Sequence, residues 1–419
     1  MGDACRMTRR RLLGAAAAAT AAPYVITSAA LGGGGRPPAS DRIVMGAIGV
    51  GRRGRYDLKA FLGHADVQVA AVCDVQGERR AAAKQDVDAA YGSGDCRTYI
   101  DLRELLERRD IDAVLIATGD NWHSPASVLA ARAGKDIYCE KPLGMAIAES
   151  RAVVEAVGRY GVVFQCGTHR RNVGQFRFAV ELARSGRLGR LTVLHAARST
   201  WWVETYRDDL AGEPPPPRER LDWDLWLGPA RRRPYNARYL DRMYWGGHLD
   251  FAGGSITEWG SHTADLCQWA NDADDTSAVT YEPTGDTVAA RYANGVELLF
   301  VPSQGAMHIR LEGTGGWALA NDDGRMETHP AGLRALGHGF RKAYHPADHV
   351  RDFLDCVRSR REPTSPAHVV HRSLTTCHCA NICLRLGRKL RWDPAREEFV
   401  GDDEANRLRS RPCRAPWRL

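Results

Sequence analysis

The sequence predicts an α/β fold in which a doubly wound parallel sheet is followed by a second α+β domain with a large, mostly antiparallel open sheet. Between residues 41 and 168, short apolar strands alternate with helical patterns, which is typical of a parallel sheet with crossover helices. From residue 169 onward, longer β-type runs follow one another, and Asn294-Gly295 is a strong signal for a tight hairpin. At 419 residues, the chain exceeds the roughly 250–300 at which a single core stops growing.

Residues 1–40 are expected to form an export signal and a linker. Arg9 and Arg10 precede an alanine-rich stretch at residues 15–22, and the small residues 28–30 form a possible cleavage zone. This pattern resembles a twin-arginine signal, so we expect export to the periplasm or cell envelope. A short basic helix is the alternative, because the apolar stretch falls well short of the ~20 residues that a permanent membrane span needs. Residues 31–40 are rich in glycine and proline and look like a flexible linker.

The first domain, residues 41–168, contains five predicted strands, each a short apolar run between turn residues. They are Ile43–Ile48, Val67–Cys73, Ala113–Ala117, Ile137–Cys139 and Val162–Cys166. The predicted helices between and after them are Arg53–Leu62, Glu78–Tyr91, Leu102–Arg108, Pro125–Ala133 and Ala146–Tyr160. Gly161 is a helix-stopping residue at the end of the last one.

The second domain, residues 169–419, contains β-type runs and a C-terminal helical segment at 346–390. The runs are Leu191–Arg198, Thr287–Tyr292, Val296–Val301 and Met307–Glu312. Between the first two, the prolines at 214–217 cannot join a central strand, so they predict a surface arm or lid. In the helical segment, Cys377, His378, Cys379 and Cys383 are expected to pack rather than bind metal, because neighbours one or two apart on a helix do not face each other.

The net charge and the cysteine content bear on two properties of the protein, its binding of nucleic acid and the state of its thiols. The formal net charge is +7, and four arginines against one aspartate in residues 1–30 supply +3 of it, which leaves about +4. That balance does not favour nucleic-acid binding. Arg231-Arg232-Arg233 is expected to be solvated surface, and an anion site is the alternative. The eleven cysteines are an odd number and lie mostly in apolar runs, so we expect buried thiols.

A glycine-rich segment follows the first strand directly. Gly49-Val50-Gly51-Arg52-Arg53-Gly54 has the G-x-G-x-x-G spacing and opens a helix, as in a Rossmann nucleotide-binding domain. The glycines allow the backbone to approach a pyrophosphate, whose charge the helix N-terminus favours. Asp74 ends the second strand twenty residues after Gly54, where a ribose-binding carboxylate is expected. The cofactor is therefore expected to be NAD, and NADP is possible because Arg52 and Arg53 lie in the loop.

Two later strands end in further candidate ligands of this cofactor. Glu140-Lys141-Pro142 follows a buried strand, and Lys141 is held extended because proline disfavours the helical region for the residue before it. Ligands of open α/β sheets bind at such carboxyl ends, which places Lys141 beside a nicotinamide. Thr118, Asn121 and His123 follow another strand and are expected to line the same crevice.

A candidate proton-transfer pair lies on one predicted helical face. Glu258, His262 and Asp265 have i, i+4 and i+7 spacing. Histidine titrates near neutral pH and can accept a hydroxyl proton as hydride leaves the carbon. Lys141 can stabilise the developing alkoxide charge. A metal site built from the three helical side chains is disfavoured, and Asp265 is expected to bond the helix or to orient His262.

Four segments together resemble the Gfo/Idh/MocA oxidoreductases, the family of glucose-fructose oxidoreductase and inositol dehydrogenase. They are residues 117–123, Glu140-Lys141-Pro142, Gly167-Thr168-His169-Arg170-Arg171 and residues 253–265. The resemblance covers nearly everything after the linker. It implies a nucleotide domain followed by an open, largely antiparallel sheet that faces the nicotinamide and commonly pairs with another subunit. It also implies sugars or cyclitols as substrates.

The resemblance assigns roles to individual residues. It implies that Lys141 contacts the substrate hydroxyl and that Glu258 and His262 form the proton-transfer pair. This chain departs from the family in having Glu258 where aspartate is common and Gly119 where proline is usual. Further substrate contacts are expected from His169, Arg170, Arg171, Tyr235 and Trp259.

Two reactions fit these residues. The first is NAD(P)-dependent hydride transfer on a sugar, sugar derivative or cyclitol. The alternative is a glycosidase or lyase that oxidises the sugar transiently, eliminates a substituent and returns the hydride, which export favours because internal recycling needs no second substrate. A sugar sensor with a vestigial nucleotide is disfavoured because Lys141 and His262 are both present. We expect no nucleic-acid partner, no stable membrane span after processing, and a homo-oligomer.

Overall fold

The computed structural model describes residues 31–32, 35–200, 209–338 and 348–417. The predicted export signal at 1–30 lies outside these residues. Within them, two sheets and the helices packed on them account for the fold, and the predicted fold class is confirmed. No helix in the described ranges is long and apolar enough to cross a membrane.

The first sheet has six parallel strands in the order β3-β2-β1-β4-β5-β6. The strands are β1 (Ile43–Ile48), β2 (Val67–Cys73), β3 (Arg97–Tyr99), β4 (Ala113–Ile116), β5 (Asp136–Cys139) and β6 (Phe164–Cys166). β3 was not predicted from the sequence. It is only three residues long, and it has no apolar run because Arg97 and Thr98 are exposed.

Five helices follow the strands of this sheet. They are α1 (Arg52–Leu62), α2 (Gly77–Tyr91), α3 (Leu102–Leu106), α4 (Asp120–Arg132) and α5 (Ile147–Tyr160). α4 begins at Asp120, earlier than the predicted start at Pro125. The proline has no N–H for the carbonyl of Asn121. Arg411 Nη2 approaches that carbonyl oxygen instead, at 3.5 Å.

The second sheet has nine strands in the order β13-β12-β11-β7-β10-β9-β8-β14-β15. β7 and β10 pair in parallel, and the other pairs are antiparallel. The bounds are β7 (Leu191–Ser199), β8 (Thr280–Thr284), β9 (Thr287–Arg291), β10 (Glu297–Ser303), β11 (His308–Gly313), β12 (Gly316–Asn321), β13 (Met326–His329), β14 (Leu390–Asp393) and β15 (Glu398–Phe399). Asn294-Gly295 turns between β9 and β10, as predicted.

The helices of the second half fall into two groups. α6 (Gly174–Arg184), α9 (Gly254–Ala270) and α11 (Ala367–Leu386) pack together and against the second sheet, and the short α12 (Asp403–Arg407) contacts β15. α10 (His349–Ser359) packs on the first domain instead, where Phe353 meets the rings of Phe61 and Tyr138. One helix of the predicted second domain, α10, therefore belongs to the core of the first domain.

The predicted surface arm is a small unit with its own core at residues 209–253. It contains α7 (Trp223–Leu227) and α8 (Arg242–Trp245), and its buried apolar side chains include Leu227, Tyr239 and Phe251. Its proline run is largely exposed. Arg231 and Arg232 are exposed as expected, but Arg233 is buried against His248 and Asp250, so the expectation was wrong for Arg233.

The cysteines of α11 pack in the interior as free thiols. Cys377, Cys379 and Cys383 are buried, and His378 Nε2 lies 3.2 Å from the Gly144 carbonyl oxygen. The described residues contain no group of three or more His, Cys, Asp or Glu side chains arranged to hold a metal.

Candidate active site

A cavity of about 810 Å³ lies at the carboxyl ends of the parallel strands. Its walls come from the loops after β1, β2, β4 and β5, from α9 of the second half, and from the arm. This is the crevice in which open α/β sheets bind ligands.

The glycine-rich loop is shaped by contacts that leave no room for side chains. Gly49 has φ +78°, and a Cβ added there would lie 2.5 Å from the Thr118 amide nitrogen. A Cβ on Gly54 would overlap the carbonyl oxygen of Gly49. Gly51 precedes α1, so the N–H groups of the helix start face the cavity rim. This cradle fits a dinucleotide pyrophosphate.

Asp74 is buried at the end of β2 and lines the cavity. Its Oδ2 accepts a hydrogen bond from the Val50 N–H at 2.9 Å, and its Oδ1 accepts one from the Gln76 N–H at 2.9 Å. Burial raises the pKa of the carboxyl group, while Arg79 and these N–H groups oppose the rise. Asp74 thus ties the glycine-rich loop to the loop after β2.

Arg53 and Glu140 hold the loops after β1 and β5 together. Arg53 Nη2 lies 3.0 Å from Glu140 Oε1, and its Nε lies 3.0 Å from Asp57 Oδ2. Burial and the nearby Glu140 raise the pKa of Asp57 to about 8, although Arg53 opposes this. Arg53 is therefore engaged by two acidic side chains, and both Arg52 and Arg53 are exposed at the start of α1 and line the cavity.

Lys141 meets Glu258 across the cavity. Its Nζ lies 2.6 Å from Glu258 Oε1, and Arg242 Nη2 from the arm lies 2.6 Å from the same oxygen. Burial alone would raise the pKa of Glu258, but Lys141 and Arg242 lower it to about 2. The carboxylate is therefore charged at neutral pH. Glu258 is not paired with His262, as the resemblance implied, because its carboxylate is held by these two cations.

His262 is buried on α9 and faces the same cavity. Its Nδ1 has no hydrogen-bond partner among the described residues, and the ring of His169 lies 5.2 Å away between centroids. Burial and then the positive charge of Arg170 lower the pKa of His262 well below its ordinary value. The imidazole is neutral at neutral pH, so it is able to accept a proton.

Asp265, one helical turn further, does not orient His262. It forms an ion pair with Arg171 at 2.7 Å and accepts a hydrogen bond from Ser373 Oγ at 3.0 Å. Arg171 also contacts Asp274, and it does not line the cavity. The predicted substrate contact of Arg171 is replaced by this buried structural ion pair.

The remaining predicted substrate residues divide into two sets. His169, Arg170 and Trp259 line the cavity, with the Arg170 guanidinium 5.6 Å from the Trp259 ring centroid. Burial and Arg170 lower the pKa of His169 to about 3. Tyr235 lies outside this cavity, because its ring packs 5.3 Å from that of Trp223 in the arm. It lines a neighbouring cavity of about 410 Å³.

The loop after β4 is fixed by bonds to two other segments. His123 Nδ1 lies 2.7 Å from the Pro142 carbonyl oxygen, and burial lowers the pKa of the ring. Its Nε2 is buried without a partner among the described residues. Asn121 donates its amide N–H to the Leu227 carbonyl of the arm at 3.0 Å. Thr118, Asn121 and His123 all line the cavity, as expected.

Several cavity residues were not singled out from the sequence, and two of them are charged residues near Glu258. Arg242 comes from the arm, and no motif surrounds it. Asp120 is the first residue of α4 and is only 4% exposed. Burial and the negative charge of Glu258 raise its pKa to about 7. In the sequence it resembles the acidic residue that commonly opens a helix.

Two models of one oxidoreductase family match this chain. The model of the NAD-binding Rossmann fold matches residues 43–168, and that of the C-terminal alpha/beta domain matches residues 189–419. The chain belongs to the Gfo/Idh/MocA oxidoreductase family. The first half of this family member is accordingly an NAD-binding Rossmann domain.

Individual relatives match parts of the chain. It is 30% identical over 150 residues to the myo-inositol 2-dehydrogenase of Thermotoga maritima, which is 36% of this chain and 43% of the relative. It is 36% identical over 124 residues to a glycosyl hydrolase family 109 protein of Saccharopolyspora erythraea, 28% of this chain and 26% of the relative. The chain thus spans less than half the length of these relatives.

Solved structures share the fold over most of the chain. The WlbA dehydrogenase from Bordetella pertussis, in complex with NADH and UDP-GlcNAcA, superposes with a TM-score of 0.62 at 20% identity. The superposition covers 85% of this chain and 99% of that one. This likeness shows the two-domain architecture.

Proposed function

We propose that this protein transfers hydride between NAD(P) and a carbinol carbon of a sugar, sugar derivative or cyclitol. The observation that carries the proposal is a neutral, buried His262 beside the Lys141–Glu258 ion pair, in a cavity that begins at the glycine cradle. When bound, the nicotinamide supplies the hydride acceptor. Gly49, Gly51 and Asp74 would hold the nucleotide end of this cofactor.

The proton and charge changes are divided between two side chains. His262 accepts the hydroxyl proton as hydride leaves, because its imidazole is uncharged. Lys141 stabilises the negative charge that develops on the oxygen. Glu258 keeps Lys141 directed into the cavity through their 2.6 Å contact.

The substrate class is supported by the charges around these groups. Lys141 and Arg242 share the carboxylate of Glu258, and Arg170 forms an ion pair with Asp322 at 2.6 Å. These three cationic side chains of the cavity are thus each engaged by an acidic group. This favours a neutral polyol over an anion as the substrate. The myo-inositol 2-dehydrogenase relative is consistent with this class.

The nucleotide preference is argued from Asp74. Its carboxylate would bind the adenosine ribose diol and repel a 2′-phosphate, which favours NAD. Titrating the protein with NAD and NADP tests this, and tighter binding of NADP would contradict it.

A screen tests the reaction itself. The nucleotide-loaded protein is mixed with myo-inositol, glucose and para-nitrophenyl glycosides of glucose and N-acetylgalactosamine, while reduced cofactor and released nitrophenol are recorded. A dehydrogenase accumulates ketone and reduced cofactor one for one. Absence of both products with every compound would refute the proposed function.

Oxidation followed by elimination is the second candidate, and the arm favours it. The arm bonds to the loop after β2, through Gly77 N–H to Arg220 O at 2.9 Å and Asp222 N–H to Val75 O at 3.1 Å. This closure would retain the nucleotide between turnovers, as a reaction with internal hydride return requires. Nitrophenol release without net reduced cofactor is the expected result for this reaction, and stoichiometric reduced cofactor would exclude it.

We propose that residues 1–30 direct export of the folded protein through the twin-arginine pathway. The support is the position of Arg9 and Arg10 just before the alanine-rich stretch. Replacing both with lysine is expected to retain the protein in the cytoplasm. Unchanged cell fractionation would show that the segment serves another purpose.

A further inference from the structure

The carboxyl group of Asp120 has no role in the hydride transfer described above. It lines the same cavity as Lys141, Glu258 and His262, and the residue is 4% exposed. Within the described ranges, no side chain donates a hydrogen bond to it. The other acidic residues of the cavity lining are all engaged: Asp74 by two backbone N–H groups, Glu140 by Arg53, and Glu258 by Lys141 and Arg242.

A capping role does not account for Asp120. At the starts of five other helical segments, an aspartate side chain accepts a hydrogen bond from a backbone N–H two or three residues further along. These residues are Asp101, Asp222, Asp241, Asp348 and Asp402. Asp120 lies inside α4, after Gly119, and makes no such bond to a later residue. Asp120 is therefore buried at the wall of the cavity without completing a helix end.

The surroundings of Asp120 make it a stronger base than an ordinary carboxylate. Burial and Glu258 disfavour its charged form and raise its pKa to about 7, although Arg242 and Lys141 favour that form. A base whose pKa lies near the working pH is both ionised and reactive. Carboxyl groups tuned in this way serve in proton transfer.

We propose that Asp120 removes the proton from the carbon next to the newly formed ketone. This inference rests on the proposed hydride transfer and assigns a residue to the elimination step that can follow it. A ketone acidifies the neighbouring C–H bond, and a second base in the same cavity is needed because His262 already carries the hydroxyl proton.

The steps balance in protons and electrons. Oxidation sends hydride to the nicotinamide and the hydroxyl proton to His262, which becomes an imidazolium. Asp120 then takes the proton of the adjacent carbon, the C–H electron pair forms a C=C bond, and the C–O bond to the substituent breaks. The imidazolium of His262 protonates the departing oxygen, so an alcohol leaves. Asp120 then returns its proton to that carbon as the hydroxyl group of water adds across the C=C bond, and His262 takes the remaining water proton. His262 delivers this proton to the carbonyl oxygen as hydride returns, so both side chains are regenerated without an external oxidant.

Deuterium exchange in deuterated water tests this step apart from hydride transfer. The nucleotide-loaded protein is mixed with myo-inositol or para-nitrophenyl glucoside in deuterated water. Absorbance measures the reduced cofactor, and mass spectrometry measures the deuterium at the carbon next to the oxidised one. The wild type is expected to form reduced cofactor transiently and to incorporate deuterium, with incorporation falling as the pH drops below about 7. Asp120→Asn is expected to keep formation of reduced cofactor and to lose exchange by about 10²–10⁴-fold. Asp120→Glu is expected to restore part of the exchange.

Asp101→Asn is the matched control, because Asp101 is a buried aspartate at a helix start outside the cavity. Thermal melting of each variant reports folding. Two results would overturn the role of Asp120 while leaving the hydride transfer intact. One is deuterium exchange by the Asp120→Asn variant at the rate of the wild type, and the other is oxidation by the wild type without any exchange. Absence of reduced cofactor and of nitrophenol with every compound of the screen would overturn the proposed function and this inference with it.

Discussion

His262 and Lys141 face one cavity from opposite electrostatic environments. Burial and the cationic Arg170 keep His262 neutral, whereas Lys141 lies 2.6 Å from a charged Glu258. A neutral imidazole can take a proton, and a paired ammonium can stabilise an oxyanion. The two roles are therefore separated by environment, and Glu258 acts on the lysine rather than on the histidine.

Glu258→Gln is expected to weaken the folded state most at neutral pH. The ordinary pKa of a glutamate is about 4.3. Because the folded-state pKa is lowered to about 2, the charged pair stabilises the protein above that range, and the stabilisation is lost as the pH falls toward 2. We expect a loss of about 1–3 kcal/mol at neutral pH. Urea unfolding of both proteins from neutral to acidic pH measures it; a difference that grows on acidification would contradict the ion pair.

Local sequence was enough to predict some site residues and not others. The requirement for Gly49 and Gly54 follows from a turn within a few residues, so the motif identified both. The contact of Lys141 with Glu258 joins residues 117 positions apart and depends on how two domains pack. The carboxyl group of Asp120, to which no described side chain donates a hydrogen bond, could not be predicted either. It depends on which side chains the fold brings near it.

Among the secondary-structure elements, the arm has the most direct effect on the cofactor site. It bonds to the start of α4 through Trp122 Nε1 to Leu225 O at 2.8 Å and through Asn121 to Leu227 O. A Cβ on Gly228, which has φ +52°, would overlap the Trp122 ring. The arm is thus fitted closely over this side of the cavity.

Loosening the arm is expected to speed release of the nucleotide. Trp122→Phe keeps an aromatic ring but removes the hydrogen bond to Leu225, which is worth about 0.5–1.5 kcal/mol. We expect NADH to dissociate about 2- to 12-fold faster, measured by stopped-flow fluorescence. Arg55→Ala, whose partner Asp86 lies on α2 outside the cavity, is the control. Equal dissociation rates for the Trp122 variant and the wild type would show that the arm does not retain the nucleotide.

Elements with their own apolar pattern were predicted well, and elements defined by distant packing were not. β1, β2 and the hairpin between β9 and β10 coincide with apolar runs and a turn signal. α10 carries an apolar face, but its pattern does not tell which domain covers it. The buried Arg233 was missed because its partners His248 and Asp250 are themselves polar.

At the scale of the whole molecule, the second sheet has one face covered by helices and one face that is partly open. Val193, Leu299, Val301, Trp317 and Leu319 are half-buried residues of its strands. They alternate with buried neighbours such as Leu298 and Phe300, as expected for a sheet with two different faces. We propose that a second copy of the chain covers this open face.

Leu299→Glu tests the proposed assembly. Burying an added charge in place of the apolar Leu299 side chain is costly, so we expect the variant to sediment as a monomer where the wild type forms a dimer or larger assembly. Tyr160→Glu, at an exposed site on α5, is the control. A monomeric wild type, or an unchanged assembly in the Leu299 variant, would contradict the assignment of this face.

The proposed hydride transfer depends on His262 as the acceptor of the hydroxyl proton. The most direct measurement is a single turnover of NAD-loaded protein with the polyol that the wild type oxidises, followed by the absorbance of reduced cofactor. His262→Ala is expected to slow this step by about 10²–10⁴-fold with unchanged NAD affinity. His308→Ala, on β11 outside the cavity, is expected to match the wild type. A His262→Ala rate equal to that of the wild type would contradict the proposed chemistry.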